Sequence, residues 1–382
     1  MADFQTSTHR AKWIFSPQQL VEKYRAANQR AKQILEKCGA TLMEVDVNGS
    51  LSYPEPHMTA KDSAEKHYRT KPLSIEEEQC IKVFYENKLQ EVYNNFRFPH
   101  KIQATALIYF KRFYLQWSVT EHQPKHIMLT CVYAACKIEE NHVSAEELET
   151  LVLQSLEYDL IVYAPYRSVE GFINDVEVCL VGPDAAVKLC LGDLLVMGSN
   201  PETASLHMQG GFSSMLLFYS KNCDYWHWQE FCNAGDDQLE MLKTLQETAR
   251  FEVDKMMLTD APLLFPPGQK ECSAITSMLA LAALSNSNAL HRVIDFDSYL
   301  RGIFSHENSM HTMSELSESL NAIDSWVRKY KSPSEKELKH INRKLKSCWG
   351  HSSHDEGKKR EKKSKHKSKK SSNEAQNMSS LA

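Results

Sequence analysis

The sequence predicts an all-α protein, because helix start signals recur along the chain and no segment shows the clear apolar and polar alternation of a half-buried strand. Each start signal is a serine followed three residues later by glutamine or glutamate, the pattern of a capping box. Four of these pairs are interpreted as helix starts: Ser16 with Gln19, Ser74 with Glu77, Ser144 with Glu147, and Ser332 with Glu335.

These signals and the apolar periodicity order the helices along the chain. The first is predicted from Pro17 to about Cys38, since proline is favoured at the first helical position and Gly39 follows the end. Residues 41–72 are polar and contain Pro54, Pro56 and Asn48-Gly49, which predicts a connection with little regular structure. Further helices are predicted over residues 75–96, 99–117, 124–138 and 144–160, and a second helical set spans 236–330 with a break at 261–268.

The helices over 99–117 and 124–138 carry the strongest functional signal. In the first, apolar residues recur at offsets of three and four from Ile102 to Phe113. Four polar residues fall largely outside that stripe: Lys101, Gln103, Lys111 and Arg112. The second helix is apolar or small on nearly every face, so we expect other helices to surround it. Polarity returns only at its end, at Lys137, Glu139 and Glu140, which predicts a charged tip presented to a partner.

Length and charge bound the class of protein. The chain has 382 residues, enough for two domains of ordinary size. Its formal net charge is −4, but residues 357–370 alone carry nine Lys or Arg against one Glu, which leaves about −12 on the rest. This balance argues against a folded body that binds nucleic acid in general. The basic stretch is interpreted as a solvated tail, a nuclear-import signal or a weak phosphate contact. The import candidates are Lys358, Lys359, Arg360, Lys362 and Lys363.

Cysteine usage and the start of the chain indicate the compartment. Ten cysteines are scattered without a CxxC pair, and Cys131 and Cys136 lie inside the apolar helix, where we expect small core residues rather than disulfides. The first residues lack the apolar stretch of a signal peptide, and no run of eighteen uncharged apolar residues occurs. We therefore expect an intracellular, soluble protein without a membrane partner.

Three motifs connect these helices to a known family. YFKRFYL (Tyr109 to Leu115), MLTC (Met128 to Cys131) and ACKIEE (Ala135 to Glu140) resemble the cyclin box of the cyclin family. The stretches AKWIFSP, LIVYAPYRSVEGF, MLTDAPLLFPPGQ and IDFDSYL are most similar to the cyclin H group of plants. The resemblance covers roughly residues 1–176 and 236 to the tail.

The resemblance implies two cyclin-box helical repeats flanked by N- and C-terminal helices. The implied organisation is an N-terminal helix (1–40), a polar linker (41–74), a first repeat (75–176), an insertion (177–230), a second repeat (231–330), a C-terminal helix (331–350) and a disordered basic tail (351–382). Such a protein binds and activates a cyclin-dependent kinase in cell-cycle control and in RNA polymerase II transcription with TFIIH. It would be a regulatory subunit rather than an enzyme, without cofactor or metal. We expect it in the nucleus, with the cytoplasm as a second location.

The same resemblance implies partners and an interface. The kinase contact falls on Lys137 and Glu149, with Glu140 beside them. For Lys137 the alternative interpretation is a lysine favoured by the negative end of the helix dipole. An assembly factor and TFIIH subunits are further implied partners, and no specific nucleic-acid contact is expected.

Two departures from the family are visible. Only residues 141–148 separate ACKIEE from ETLVLQSL, where cyclins place their fourth helix, so that helix is predicted to be missing and the contact through Glu149 is placed in doubt. Residues 177–230 have no family counterpart. Within them and just beyond, Cys223, His227 and Cys232 match no familiar zinc spacing, so no metal site is expected. A non-functional splice variant is therefore a second interpretation of this chain.

Motifs also bear on two different classes of function. A TFIIB-like factor, which also uses paired cyclin-like repeats, would need a basic folded body and an N-terminal zinc ribbon. No GxSxG, P-loop, HExxH or kinase signature supports an enzyme. His122, His126 and His142 are interpreted as surface or capping residues. Ser16 and Ser332 precede proline, so each is either a helix cap or a target of a proline-directed kinase.

Overall fold

The computed structural model describes residues 4–45, 50–54, 70–139, 156, 158–181, 236–267, 278–306 and 313–350. In this part of the chain the regular structure is helical apart from one hairpin of two-residue strands, which confirms the all-α class. The hairpin pairs β1 (Glu44–Val45) with β2 (Leu51–Ser52) in antiparallel register. After a short 3₁₀ turn at Phe4–Thr6, the helices are α1 (Thr8–Trp13), α2 (Pro17–Cys38), α3 (Ile75–Phe96), α4 (His100–Gln116), α5 (Pro124–Ile138), α6 (Tyr166–Val181), α7 (Asp236–Met257), α8 (Ala261–Leu264), α9 (Met278–His291), α10 (Phe296–His306), α11 (Met313–Lys329) and α12 (Glu335–Cys348).

The predicted bounds of α2, α3 and α5 agree with the structure. The predicted end of the helix over 144–160 is wrong, because Leu156 and Tyr158 lie in turns, and the rest of that helix falls outside the described residues. Helix α6 extends to Val181 and so runs into the segment predicted as an insertion (177–230). The predicted break in the second helical set, at 261–268, contains the single helical turn α8.

Helix caps show one prediction confirmed and one corrected. The Ser74 hydroxyl accepts from the backbone N–H of Glu77, whose carboxylate accepts from the Ser74 N–H at 2.8 Å, which completes the predicted capping box of α3. At α12 the box is formed by Ser334 with Glu337, and not by Ser332 with Glu335. Because α12 begins at Glu335, Ser332 lies two residues too early to cap it. The pair at Ser144 falls outside the described residues.

We expect Ser334→Ala to lower the free energy of unfolding by about 1 kcal/mol, because the hydroxyl satisfies an N–H at the start of α12. Ser332→Ala is the matched control and should change it by less than about 0.5 kcal/mol. Urea unfolding of both variants measures the difference. Equal losses at the two serines would contradict the assigned cap.

The chain divides into two compact units. The first unit comprises Pro17–Phe98, Tyr109–Tyr158 and Lys331–Ala382, and the second comprises Met1–Ser16, Pro99–Ile108 and Asp159–Tyr330. These units do not replace the domain limits predicted from the sequence, which stay predictions.

In the first unit the two terminal helices pack on α3, as the resemblance implies. Asn28 of α2 donates to the buried Glu78 carboxylate at 2.8 Å, and Lys344 of α12 donates to Glu77 at 2.6 Å. Burial alone would raise the pKa of Glu77, but the bonds from Lys344 and from the Ser74 N–H lower it overall. The terminal helices are therefore tied to α3 by polar contacts.

In the second unit α7 packs against both α6 and α9, and α9 also packs against α11. The apolar core includes Phe172, Leu245 and Val253, each fully buried, and the buried Ser287 hydroxyl donates to the Leu245 carbonyl at 2.9 Å. At the N-terminus of this unit the Trp13 indole donates to the Asp159 carboxylate at 2.7 Å.

The helix that is buried on all sides is α4, from Ile102 to Leu115, and not α5 as predicted. Gln103, Lys111 and Arg112 were predicted largely outside the apolar stripe of α4, yet all three are buried. The Lys111 ammonium lies 2.8 Å from the buried Glu86 carboxylate of α3, so its charge is paired inside the fold. Cys131 and Cys136 of α5 are buried, as predicted, and burial raises the pKa of both thiols. No helix in the described ranges has the length and apolar character needed to cross a bilayer.

Candidate functional site

The candidate site is the exposed side of α5, which ends in a charged turn. Pro124 occupies the first turn of this helix, and Glu139 follows its last residue, Ile138. Lys137 is exposed in the last turn, where the negative end of the helix dipole favours a cation. Its ammonium nitrogen lies 5.1 Å from the ring centroid of Tyr133, one turn earlier, a cation–π distance. The lysine side chain is therefore exposed while it contacts the buried tyrosine.

Apolar side chains accompany this charge. Leu129 is 45% exposed and Ile138 is 42% exposed, although Ile127, Cys131 and Ala134 of the same helix are buried. At about 100° per residue, Leu129 lies roughly 80° around the helix from Lys137. The expectation that α5 is surrounded on all sides is therefore wrong, because Leu129 and Lys137 are both exposed, about 12 Å apart along the helix axis. A helix side that exposes both an apolar and a charged side chain is typical of an amphipathic helix that binds a partner.

A buried carboxylate fixes the loop that leads into α5. Glu121, three residues before Pro124, is fully buried and accepts two hydrogen bonds from the Arg30 guanidinium of α2, at 3.0 and 2.8 Å. It also accepts from the Tyr53 hydroxyl and from the Ser118 backbone N–H, both at 2.8 Å. One side chain thus joins α2, the segment after β2 and the α4–α5 loop.

The same loop is held from two more helices. The buried Ser118 hydroxyl donates to the Glu78 carboxylate of α3 at 2.7 Å. The Thr120 carbonyl accepts from the Thr41 hydroxyl and from the Trp349 indole that follows α12, both at 2.9 Å. Because these partners come from distant parts of the sequence, the start of α5 has a fixed position within the first unit.

The network alters the titration of its members. The hydrogen bond to Glu121 raises the pKa of Arg30, so the guanidinium stays charged. Burial, followed by the hydrogen bond to Glu121, raises the pKa of the Tyr53 hydroxyl, which therefore stays protonated as a donor.

His122, predicted as a surface or capping residue, is buried instead. Its ring packs edge-on against Phe113 at 5.4 Å and Trp117 at 4.8 Å between centroids, and its Nε2 has no hydrogen-bond partner among the described residues. Burial lowers the pKa of His122 to about 4; the Arg30 cation adds to this effect and the Glu121 carboxylate opposes it. A histidine in this place is neutral in the folded protein.

The pKa of His122 predicts an acid-sensitive fold. Below its ordinary pKa of 6.5 the unfolded chain binds a proton that the folded chain does not, so stability falls as the pH drops from about 6.5 toward 4. Between pH 7.5 and 5 we expect this residue to cost about 2 kcal/mol of unfolding free energy. His122→Phe keeps the aromatic contacts and removes the proton, so urea unfolding across this range should show a flatter pH profile. Parallel profiles for the two proteins would contradict the assignment.

The remaining predicted residues separate into two groups. His126 is exposed, as predicted. Glu140, Glu149, His142, the candidate import residues from Lys358 to Lys363 and the group Cys223, His227 and Cys232 fall outside the described residues. Within the described ranges, no group of three or more His, Cys, Asp or Glu side chains is placed to hold a metal ion. The network around Glu121 was not predicted, because two of its partners, Arg30 and Tyr53, lie 91 and 68 residues away in sequence.

Comparison with known proteins places this site in context. Residues 61–163 match the family described as Cyclin, N-terminal domain. Cyclin-H1-1 of Arabidopsis thaliana is 53% identical over 392 residues, which cover 99% of this chain and 98% of that protein. Cyclin-H of Xenopus laevis is 29% identical over 299 residues, 72% of each chain.

A solved structure shares the fold. A chain in the structure of the CAK complex from Chaetomium thermophilum bound to ATP-gamma-S matches with a TM-score of 0.58 at 18% identity, covering 90% of this chain and 88% of that one. The 392-residue alignment with the Arabidopsis protein is longer than the 382 residues of this chain, so this chain lacks residues that its relative carries. That the missing residues belong to a helix after residue 140 stays a prediction.

Proposed function

The chain belongs to the cyclin family, within its cyclin H group, and from this premise we propose that it is the regulatory subunit of a CDK-activating kinase. The observation that carries the proposal is 53% identity to Cyclin-H1-1 over nearly the full length of both proteins. In this role the chain binds and activates a cyclin-dependent kinase in the cell cycle and in RNA polymerase II transcription, together with an assembly factor and TFIIH subunits. Catalysis resides in the kinase.

The exposed side of α5 supports a mechanism by which the chain activates its kinase. A regulatory subunit shifts the kinase toward its active arrangement only if it binds that arrangement more tightly than the inactive one. Lys137 offers a hydrogen-bond donor and Leu129 an apolar contact on one side of a helix whose start is fixed by Glu121. We propose that this side contacts the mobile helix of the kinase, with Glu140 and Glu149 as further contacts.

The second class of function, promoter binding in the manner of TFIIB, has less support. Outside residues 357–370 the chain carries a formal charge of about −12, whereas binding to the DNA backbone depends on clustered Lys and Arg.

Reconstitution tests the proposed activity. The chain is mixed with purified cyclin-dependent kinase and assembly factor, and phosphorylation of the activation segment of a second kinase is measured. We expect a large increase over the kinase without this chain. A parallel version that lacks residues 177–230 and carries an added helix after residue 140 shows whether the two departures impair activation. Failure of both versions to activate any cyclin-dependent kinase would contradict the proposed function.

The basic residues of the tail predict a nuclear location. We propose that Lys358, Lys359, Arg360, Lys362 and Lys363 form a nuclear-import signal, because Lys and Arg clusters of this density are recognised by import receptors. Deleting residues 357–370 should shift a fluorescent fusion from the nucleus toward the cytoplasm, whereas deleting the uncharged residues 375–382 should not. An unchanged distribution after the first deletion would remove the assignment.

A further inference from the structure

The sequence contains two Ser-Pro dipeptides, at Ser16-Pro17 and Ser332-Pro333, and no Thr-Pro. Both satisfy the minimal requirement of a proline-directed serine/threonine kinase, so the sequence does not distinguish between them. The structure does, because the two serines differ in the backbone on either side.

The Ser16 side chain is exposed, as that of Ser332 is, but its backbone is held on both sides. Pro17 is the first residue of the 22-residue helix α2, so the backbone is helical immediately after the serine. On the other side, the Phe15 N–H donates to the Leu263 carbonyl at 2.8 Å. To lie extended across an enzyme cleft, this segment would have to unwind the start of α2 and break that bond.

Ser332 lies in an open connection. Residues 330–334 have no helical or strand structure, and they join the end of α11 at Lys329 to the start of α12 at Glu335. Pro333 favours an extended conformation at the preceding serine. The Ser332 side chain is exposed, and its hydroxyl oxygen accepts a long bond of 3.4 Å from the Asn87 amide, which costs little to break.

The surroundings also tolerate a phosphate. The capping box of α12 is formed by Ser334 and Glu337, so it does not depend on the Ser332 hydroxyl. A phosphate two residues before this cap lies near the positive end of a 14-residue helix and between Lys331 and Lys336 in sequence. Glu335, the nearest acidic residue after it, is paired with Lys339 at 3.0 Å.

We propose that Ser332 is a phosphorylation site for a proline-directed serine/threonine kinase and that the fold protects Ser16. In the reaction the Ser332 Oγ forms a bond to the γ-phosphorus of ATP as the bond from that phosphorus to the β–γ bridging oxygen breaks. The hydroxyl proton passes to the catalytic base of the kinase, and ADP leaves.

The test treats the folded full-length chain with MgATP and a purified mitogen-activated-type kinase, followed by phosphopeptide mapping by mass spectrometry. We expect at least tenfold more phosphate on Ser332 than on Ser16. Ser332→Ala and Pro333→Ala should remove most of the incorporation, and Ser16→Ala should leave it unchanged. Equal labelling of the two serines, or no labelling of Ser332, would overturn the proposal.

Two 13-residue peptides centred on Ser16 and Ser332 supply the control for sequence preference. If the kinase labels both peptides but only Ser332 in the folded chain, the fold is the cause of the selection. If it fails to label the Ser16 peptide, selection arises from sequence, and the protective role assigned to α2 is wrong.

Discussion

Glu121→Ala is expected to lower the free energy of unfolding of the first unit by about 2–4 kcal/mol. The substitution removes the acceptor for the Arg30 guanidinium, the Tyr53 hydroxyl and the buried Ser118 N–H. Buried donors left without acceptors incur the desolvation penalty in full, and water does not reach a carboxylate site that is fully enclosed. Part of the loss is offset because the Arg30 side chain is 41% exposed and can turn toward solvent.

Chemical unfolding followed by circular dichroism measures this effect. Glu36→Ala, an exposed glutamate on α2, is the matched control and should change the free energy by less than about 0.5 kcal/mol. Arg30→Ala should also destabilise the fold, because it leaves the buried Glu121 carboxylate without its counter-charge. A loss below about 1 kcal/mol for Glu121→Ala would show that the network does not hold the start of α5.

Lys137→Glu is expected to weaken kinase association by about thirtyfold or more. Reversing a charge at a desolvated interface removes a donor and adds repulsion, and losses of about 2 kcal/mol or more are usual for such groups. The fold should persist, because Lys137 is exposed, its cation–π contact with Tyr133 contributes at most about 1 kcal/mol, and a carboxylate at the negative end of the helix dipole costs about 1 kcal/mol or less.

The measurement is the equilibrium affinity for the purified cyclin-dependent kinase, with circular dichroism as the test of folding. Lys125→Glu is the matched control, since it makes the same charge change at an exposed position in the first turn of the same helix. If the two variants bound equally well, or if neither differed from the unaltered chain, the proposed kinase contact through the last turn of α5 would be wrong.

The features predicted correctly from the sequence are those written in neighbouring residues. The Ser74 capping box and the proline at the start of α5 set helix bounds that the structure reproduces. The C-terminal helix shows the limit of such signals. The pattern of serine followed by glutamate three residues later occurs there in two overlapping registers, at Ser332 and Ser334, and local sequence does not choose between them.

Features that depend on distant partners were not predictable in this way. The polar residues of α4 look like a solvated side, but Lys111 is buried because Glu86 of α3 lies 2.8 Å away. Glu121 stands three residues after Ser118 in the Ser-x-x-Glu pattern, but that pattern does not indicate its partners Arg30 and Tyr53, which come from separate segments. The wrong prediction that other helices surround α5 has a different cause. An apolar helix side has the same sequence pattern whether the protein itself covers it or a partner does.

The most direct test of the docking model is whether the last turn of α5 touches the kinase. A photoreactive amino acid placed at position 137 of the full chain, mixed with the purified cyclin-dependent kinase and irradiated, should form a covalent adduct whose mapped peptide lies in the mobile helix of the kinase. The same group at exposed position 346 on α12 should form none. An adduct from position 346 with none from position 137 would contradict the assignment of α5 as the docking helix.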